Sequence, residues 1–314
     1  MDLRQLSTLV AIADHGSFSA AARALYTVQS NVSGHIARLE RELGVTLVDR
    51  QRGGLTDEGA IVVERARRVL HELDDIAAEM ASRGDEVRGD SRIGCIGTTA
   101  RWILPQLLAH MQRAHPAVHI TIHEGNTTNL LPRLVSQHLD GALTHLPVDD
   151  PELVVEPLFA EELVLLAHSS HPFDDVDEIT LAEVARHPLL LPPRGTGLRR
   201  VLDRAATNVG AELQAQVEID GVRLMASLAF EGYGAAIVPA TAIPRWLQGD
   251  FRRISVPELP RRVVGWAQRR RPTPGAATRS VLAALHEVVL EEGAHQPGIH
   301  VGGDVTPLPR SATG

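Results

Sequence analysis

The sequence predicts an α/β protein in three parts: a small helical head closed by a hairpin wing, one long connecting helix, and two lobes of alternating strands and helices. Three observations predict it. Apolar residues recur at helical spacing from Leu3 to Leu43 and give way to two short β-prone pieces around Gly53-Gly54. From about Thr56 to Arg88 there is no proline, and glycine is confined to Gly59 and Gly84, so a single unbroken helix fits. Beyond about residue 90, short apolar runs alternate with amphipathic stretches.

In the head, Leu3, Leu6, Leu9, Val10 and Ala13 form one apolar face, and His15-Gly16 ends that helix. Ser17 or Ser19 can cap a second helix through Ala20-Ala21-Ala22, whose small side chains let two helices approach closely. A third helix runs from about Val28 to Leu43, with Val32, Ile36, Leu39 and Leu43 as its buried stripe. Its other side carries Ser30, Asn31, Ser33, Gly34, Arg38 and Arg41, with Gln29 at the tip. Such a Gln, Ser, Asn edge can hydrogen-bond base edges in a major groove, and first-turn amides suit a phosphate. Arg50 and Arg52, in the hairpin, stand where a wing would meet phosphates. Charge argues the other way. Six arginines up to residue 58 (4, 23, 38, 41, 50, 52) face seven acids (2, 14, 40, 42, 49, 57, 58), a poor balance for a nucleic-acid domain. Periodicity alone therefore leaves open an ordinary three-helix bundle with a polar face.

In the connecting helix, Val62, Ala66, Val69, Leu73, Ile76 and Met80 step by alternating fours and threes, a heptad seam flanked by Arg and Glu. The seam must be buried, either on its own domain or against a second copy of itself. Arg83 to Asp90 reads as a charged, glycine-punctuated hinge. Strands are then expected at Arg92–Gly97, Val118–Glu124, Gly141–Thr144, Leu163–Ala167, Leu189–Leu191, Val217–Ile219 and Ala235–Pro239. Helices are expected at Ile103–Arg113, Asn129–Leu139, Leu198–Val209 and Arg223–Phe230, with a capping box at Thr180–Glu183 opening another. The expectation is of open, mostly parallel sheets. The stretch from 293 to 314, rich in Gly, Pro and His, reads as a disordered tail.

Composition narrows the function. The 314 residues suffice for about two domains. The net charge of −8 excludes a generic polyanion binder, so any contact with DNA must be local. All 31 basic residues counted as Lys or Arg are arginines. The single cysteine, Cys95, lies in an apolar strand, which excludes an intrachain disulfide or a four-thiolate metal site. The start of the chain shows no charged-then-apolar leader, and no apolar run is long enough to span a bilayer, so a cytoplasmic protein is expected.

The order of short motifs then narrows it further. Phe18-Ser19-Ala20-Ala21-Ala22, Leu25-Tyr26-Thr27-Val28-Gln29-Ser30-Asn31-Val32-Ser33-Gly34-His35-Ile36, Leu39-Glu40-Arg41-Glu42-Leu43-Gly44-Val45-Thr46-Leu47 and Leu55-Thr56-Asp57-Glu58-Gly59 together resemble the DNA-binding signature of the LysR-type transcriptional regulator family. Downstream, Arg92-Ile93-Gly94, Leu104-Pro105, His115-Pro116, Glu124-Gly125, Leu139-Asp140-Gly141-Ala142-Leu143, Glu156-Pro157-Leu158, Glu162-Leu163-Val164-Leu165 and Glu231-Gly232-Tyr233-Gly234-Ala235-Ala236-Ile237-Val238-Pro239 resemble the effector domain of that family.

The resemblance implies a winged helix-turn-helix over 1–58, a linker and dimerisation helix over 59–89, and an effector-binding domain over 90–292 of two Rossmann-like lobes of periplasmic-binding-protein type. Lobe 1 would take about 90–162 and 266–292 and lobe 2 about 163–265, with the chain crossing near 160–164 and 263–268. DNA contacts carried over fall on Gln29, Ser30, Asn31, Ser33 and His35, with Arg50, Arg52 and Thr56 at the wing; Arg38 joins them from the exposed face of the same helix. The sequence departs from the family where Gly34 replaces a longer side chain, where Val48 replaces Phe, and where the wing is short. The heptad seam resembles the dimerisation helix, implying a homodimer or homotetramer on double-stranded promoter DNA.

Open α/β sheets bind ligands beyond the carboxyl ends of their strands. There stand Thr98, Thr99 and Arg101 after one strand, Asn126, Thr127 and Thr128 after another, and Arg194, Gly195 and Thr196 in the second lobe. They suit a small anionic effector such as a carboxylate; each threonine also fits an ordinary helix cap. His115, His119 and His123 invite a metal reading, but along a strand the last two are about 13 Å apart, too far for one ion. No cofactor or metal motif and no nucleophile–base pattern is present in the sequence. The rival functions are a small-molecule-binding protein without regulation, which leaves the first ninety or so residues unexplained, and an enzyme on a periplasmic-binding-protein-like fold.

Overall fold

The computed structural model describes residues 1–49, 54–81, 86–173 and 176–302. Two compact units emerge, one of Met1–Gly89 with Ser136–His138, the other of Asp90–Val135 with residues 139–302.

The first unit holds α1 (Leu3–His15), α2 (Phe18–Ala24), α3 (Gln29–Leu43), β1 (Val48–Asp49), β2 (Gly54–Leu55) and α4 (Asp57–Ala81). Each boundary has a local cause. Asp2 and Gln5 form a reciprocal capping box at the start of α1, and Gly16 ends it in a left-handed conformation. Of the two serines that could cap α2, Ser17 does so, accepting from the Ala20 amide at 3.2 Å, while Ser19 turns its hydroxyl to Gln29. Leu9, Ile12, Ala21, Val32, Ile36, Leu39, Leu47 and Val63 form the core. The expected stripe on α3 is buried except Leu43, which is exposed at the helix end. The Glu40 carboxylate accepts the amides of Leu47 and Val48 at 2.8 and 3.2 Å, tying α3 to the wing. In the wing, Val48 pairs with Leu55 and Asp49 with Gly54, antiparallel. The heptad seam on α4 divides. Ala66 is buried in the head and Val62 half-buried, whereas Val69, Leu73, Ile76 and Met80 are exposed on this chain.

The second unit has two sheets. Lobe 1 is built from β3 (Gly89–Ile96), α5 (Gly97–Ala114), β4 (Val118–Gly125), α6 (Thr127–Val135), β5 (Gly141–His145) and β6 (Leu153–Glu161). The chain then enters lobe 2 with β7 (Leu163–His168), α7 (Leu181–Val184), β8 (Leu189–Leu191), α8 (Gly197–Asn208), β9 (Ala215–Glu218), α9 (Val222–Phe230), β10 (Ala235–Pro239) and, after a 3-10 turn at Ala240–Ala242, β11 (Phe251–Ser255). It returns with β12 (Arg262–Arg269), α10 (Ala276–Gly293) and β13 (Ile299–Val301). The strand orders are β13-β6-β12-β5-β3-β4 in lobe 1 and β11-β7-β10-β8-β9 in lobe 2.

Three expectations are corrected. The sheets are mixed: β3 with β5 and β8 with both β9 and β10 are parallel, but β6, β12 and β13, and likewise β7 and β11, run antiparallel to their neighbours. The alternation of β6 and β12 is broken by a register shift between Val264 and Gly265 opposite Pro157, which hides both long strands from a period-of-two search. The return crossing falls between Ser255 and Arg262, earlier than 263–268, because β12 already belongs to the lobe 1 sheet at Arg262. The tail is ordered over its first part. β13 pairs with β6, Ile299 opposite Glu161, and buried Gln296 donates to the carbonyls of Ala240 and Ile243 at 3.3 and 2.9 Å. Residues 303–314 lie outside the described residues.

Candidate functional site

The head presents one helix end to its surroundings. α3 begins after Val28 with no side-chain cap, so the Gln29 and Ser30 amides are left without an intrahelical partner, while the Asn31 amide donates to the Val28 carbonyl at 3.0 Å. Gln29, Ser30 and Asn31 are exposed on that turn, and Arg38 is exposed further along. Two contacts hold the tip in place. Ser19 Oγ donates to Gln29 Oε1 at 3.1 Å, and Asn31 Nδ2 donates to Thr27 Oγ1 at 3.0 Å. Each amide keeps a free edge for an outside partner. Ser33 and His35 are half-buried, and the His35 Nδ1 is buried with no hydrogen-bond partner. Thr56 is occupied: its hydroxyl donates to the Thr46 carbonyl at 2.7 Å and accepts the Gly59 amide at 2.9 Å, joining the wing to α4. Arg50 and Arg52 lie outside the described residues.

In the second unit, the carboxyl ends of β3 and β4, neighbours in the sheet, adjoin: a Cβ on Gly97, just after β3, would lie 2.8 Å from Glu124 Oε1 near the end of β4. Thr98 and Thr99 lie buried in the first turn of α5, and Thr99 Oγ1 has no hydrogen-bond partner. Asn126 caps α6 by accepting the Asn129 amide at 2.9 Å, Thr127 accepts the His145 amide at 3.1 Å, and Thr128 is exposed. The two predicted threonine clusters of lobe 1 are thus brought together. Arg101 is engaged elsewhere, its guanidinium lying 5.1 Å from the centre of the Trp246 ring. Arg194 reaches Glu212 on its own lobe, Thr196 caps α8, and exposed Gly195 holds the positive φ of 87° in the turn between them.

Sequence reasoning missed the residues that join the lobes here. Glu124, near the end of β4, accepts from Arg223 Nη2 at 2.6 Å, and Arg223 opens α9 of lobe 2. Both side chains are about half exposed, so the pair is worth about 1 kcal/mol at most. Neither had a local signal of the pairing. Glu124 was legible only as part of the Glu124-Gly125 motif, which says nothing of its partner, and Arg223 is one arginine among many.

A second polar group lies beneath α5, with Glu161 fully buried and His145 and Arg262 half-buried. His145, Glu161 and Arg262 share one face of the lobe 1 sheet, because β12 sets Arg262 opposite Glu161 and Val264 opposite both His145 and Phe159. That face meets α5, where Trp102 packs edge-on to Phe159. Thr241 donates to Glu161 Oε2 at 2.7 Å. Burial raises the Glu161 carboxyl above its ordinary range, against the pull of Arg262 and Thr241. Burial, and then the positive charge of Arg262, hold the His145 imidazole well below its usual range. Cys95 is fully buried, which pushes its thiol far up. His123 is hydrogen-bonded with Arg133, and no group of three metal-ligating side chains occurs among the described residues.

Comparison with known proteins places both units. Residues 3–60 match the model of the bacterial regulatory helix-turn-helix proteins of the lysR family, and residues 84–290 match the LysR substrate binding domain. The chain is 30% identical to the hydrogen peroxide-inducible genes activator of Pectobacterium carotovorum subsp. carotovorum, over 93% of this chain and 96% of that one. It is also 30% identical to the DNA-binding transcriptional dual regulator OxyR of Escherichia coli (strain K12), over 92% and 95%. A full-length OxyR structure from Pseudomonas aeruginosa superposes with a TM-score of 0.70 at 24% identity, covering 92% of this chain and 95% of that one.

Proposed function

This chain belongs to the LysR family of bacterial helix-turn-helix transcriptional regulators, and from that premise we propose how it reads DNA and how it is controlled. It is a DNA-binding regulator with a small-molecule effector domain. The first turn of α3 enters the major groove, with Gln29, Ser30 and Asn31 toward the bases and the half-buried Ser33 at the edge of the contact. The exposed, uncapped tip of α3 is the observation that supports this reading. Arg38, and the wing residues Arg50 and Arg52, hold the backbone. The exposed part of the α4 seam, Val69 to Met80, packs against the same seam of a second copy, so a homodimer or homotetramer presents two reading helices to two half-sites. The protein works in the cytoplasm, by binding rather than turnover; no described helix is long and apolar enough to cross a membrane.

Control comes from a reversibly bound small molecule between the lobes. The peroxide response for which one relative is named does not run through an intrachain disulfide here. An intrachain disulfide needs two cysteines, and this chain has one, fully buried and with its thiol pushed up. Ser33→Arg tests the reading head. Footprinting on the DNA upstream of the protein's own gene should show an altered or abolished site, with the oligomeric state unchanged in sedimentation. An unchanged site preference would remove α3 as the reader.

A further inference from the structure

A carboxylate already bridges the two lobes. Glu124 Oε1 lies so close to Gly97, the first residue of α5, that a Cβ on that glycine would be 2.8 Å from it. Arg223 Nε would lie 3.5 Å from the same Cβ. Gly97 therefore gives the Glu124 carboxylate and the Arg223 guanidinium room to meet at the start of α5.

The surroundings are those of an anion site. Neither α5 nor α9 has a side-chain cap, so both present unpaired first-turn amides. Thr99, in the first turn of α5, is fully buried and its hydroxyl has no partner. Arg223 is the second residue of α9, a position where the helix dipole disfavours a cation. A cation placed against the dipole of its own helix makes physical sense if an anion is held beside it.

We propose that Glu124 is an internal stand-in for the effector: it occupies a carboxylate site formed by Arg223 and the start of α5, and a small carboxylate acts by displacing it and taking over Arg223. The exchange swaps one carboxylate for another on the same guanidinium, so charge balances and no bond is made or broken. It also cuts the only direct tether between β4 of lobe 1 and α9 of lobe 2 that is an ion pair among the described residues. Freed of Glu124, the lobes can settle at the separation that the ligand sets. The idea rests on the effector reading above and assigns to it a ligand class and a mode of competition.

The test uses the full-length protein, its Glu124→Gln and Arg223→Gln variants, and three probes: acetate, succinate and benzoate. Both side chains are half exposed, so both variants should fold, and their melting curves check this. Calorimetry should find at least one probe that binds Glu124→Gln about fivefold more tightly than the unaltered protein, the factor expected from removing a competing surface ion pair. Arg223→Gln should lose that binding. Equal affinity in the unaltered protein and Glu124→Gln, or no binding by either, overturns the proposal. Footprinting of the same samples separates the two levels of inference. Intact DNA binding with no carboxylate effect sinks only the stand-in, whereas absent sequence-specific binding sinks the regulatory reading itself.

Discussion

The Trp266 indole lies directly over Gly141, so that a Cβ on the glycine would fall 1.8 Å from the ring carbon Cζ2. Gly141 opens β5 and Trp266 sits in β12, the neighbouring strand, almost fully buried. Gly141→Ala should therefore force a fully buried tryptophan of the lobe 1 core out of place. The expected cost is about 3 kcal/mol, at the upper end for overpacking a core. Denaturant unfolding measures it, and a loss below about 1 kcal/mol would show that the ring moves freely.

At the reading head, Gln29→Ala should weaken binding to the cognate site by about 1–3 kcal/mol while leaving non-specific DNA binding nearly intact. Competition titration against random duplex at fixed salt separates the two. Equal losses on both DNAs would assign Gln29 to the backbone.

On α4, Ile76 is 58% exposed in the single chain. Ile76→Glu should shift the oligomer toward monomer, because a charge in a helix seam must be desolvated without a partner. Sedimentation velocity reads the change, and an unaltered oligomer would mean that this face is not the contact.

At the crossing between lobes, Gln296→Ala should cost about 2 kcal/mol, since the Ala240 and Ile243 carbonyls would lose their buried donor. Truncation after Gly293 should cost more, because it also removes β13 and the His300–Glu162 contact at 2.8 Å. Thermal unfolding of both variants is the check. A truncated protein as stable as the full chain would make the segment the dispensable tail that composition suggests.

Acid should weaken the fold through His145. Its folded-state pKa is depressed, so it contributes stability above the unfolded value of 6.5 that is lost as pH falls below it. Glu161, with a raised pKa, acts in the opposite sense, its burial cost easing on acidification. Between about pH 7.5 and pH 5.5 His145→Gln should lose less stability than the unaltered protein, by up to about 1 kcal/mol. Parallel pH dependences would show that His145 is solvated.

Local order decided much of this protein. The spacing of Val32, Ile36 and Leu39 fixed α3 and its exposed Gln29–Asn31 edge, because a helix of 3.6 residues per turn leaves one face for the core and the other for a partner. The capping box at Thr180 and the stop at Gly16 were legible for the same reason: each is satisfied by atoms within a few residues. What tertiary structure alone decided lies where the chain meets itself far away. Glu124 and Arg223 are 99 residues apart, β13 reaches back to β6, and Arg262 closes on Glu161 only through strand register. No periodicity encodes such pairs, because their geometry is set by how two sheets and the passages between them pack.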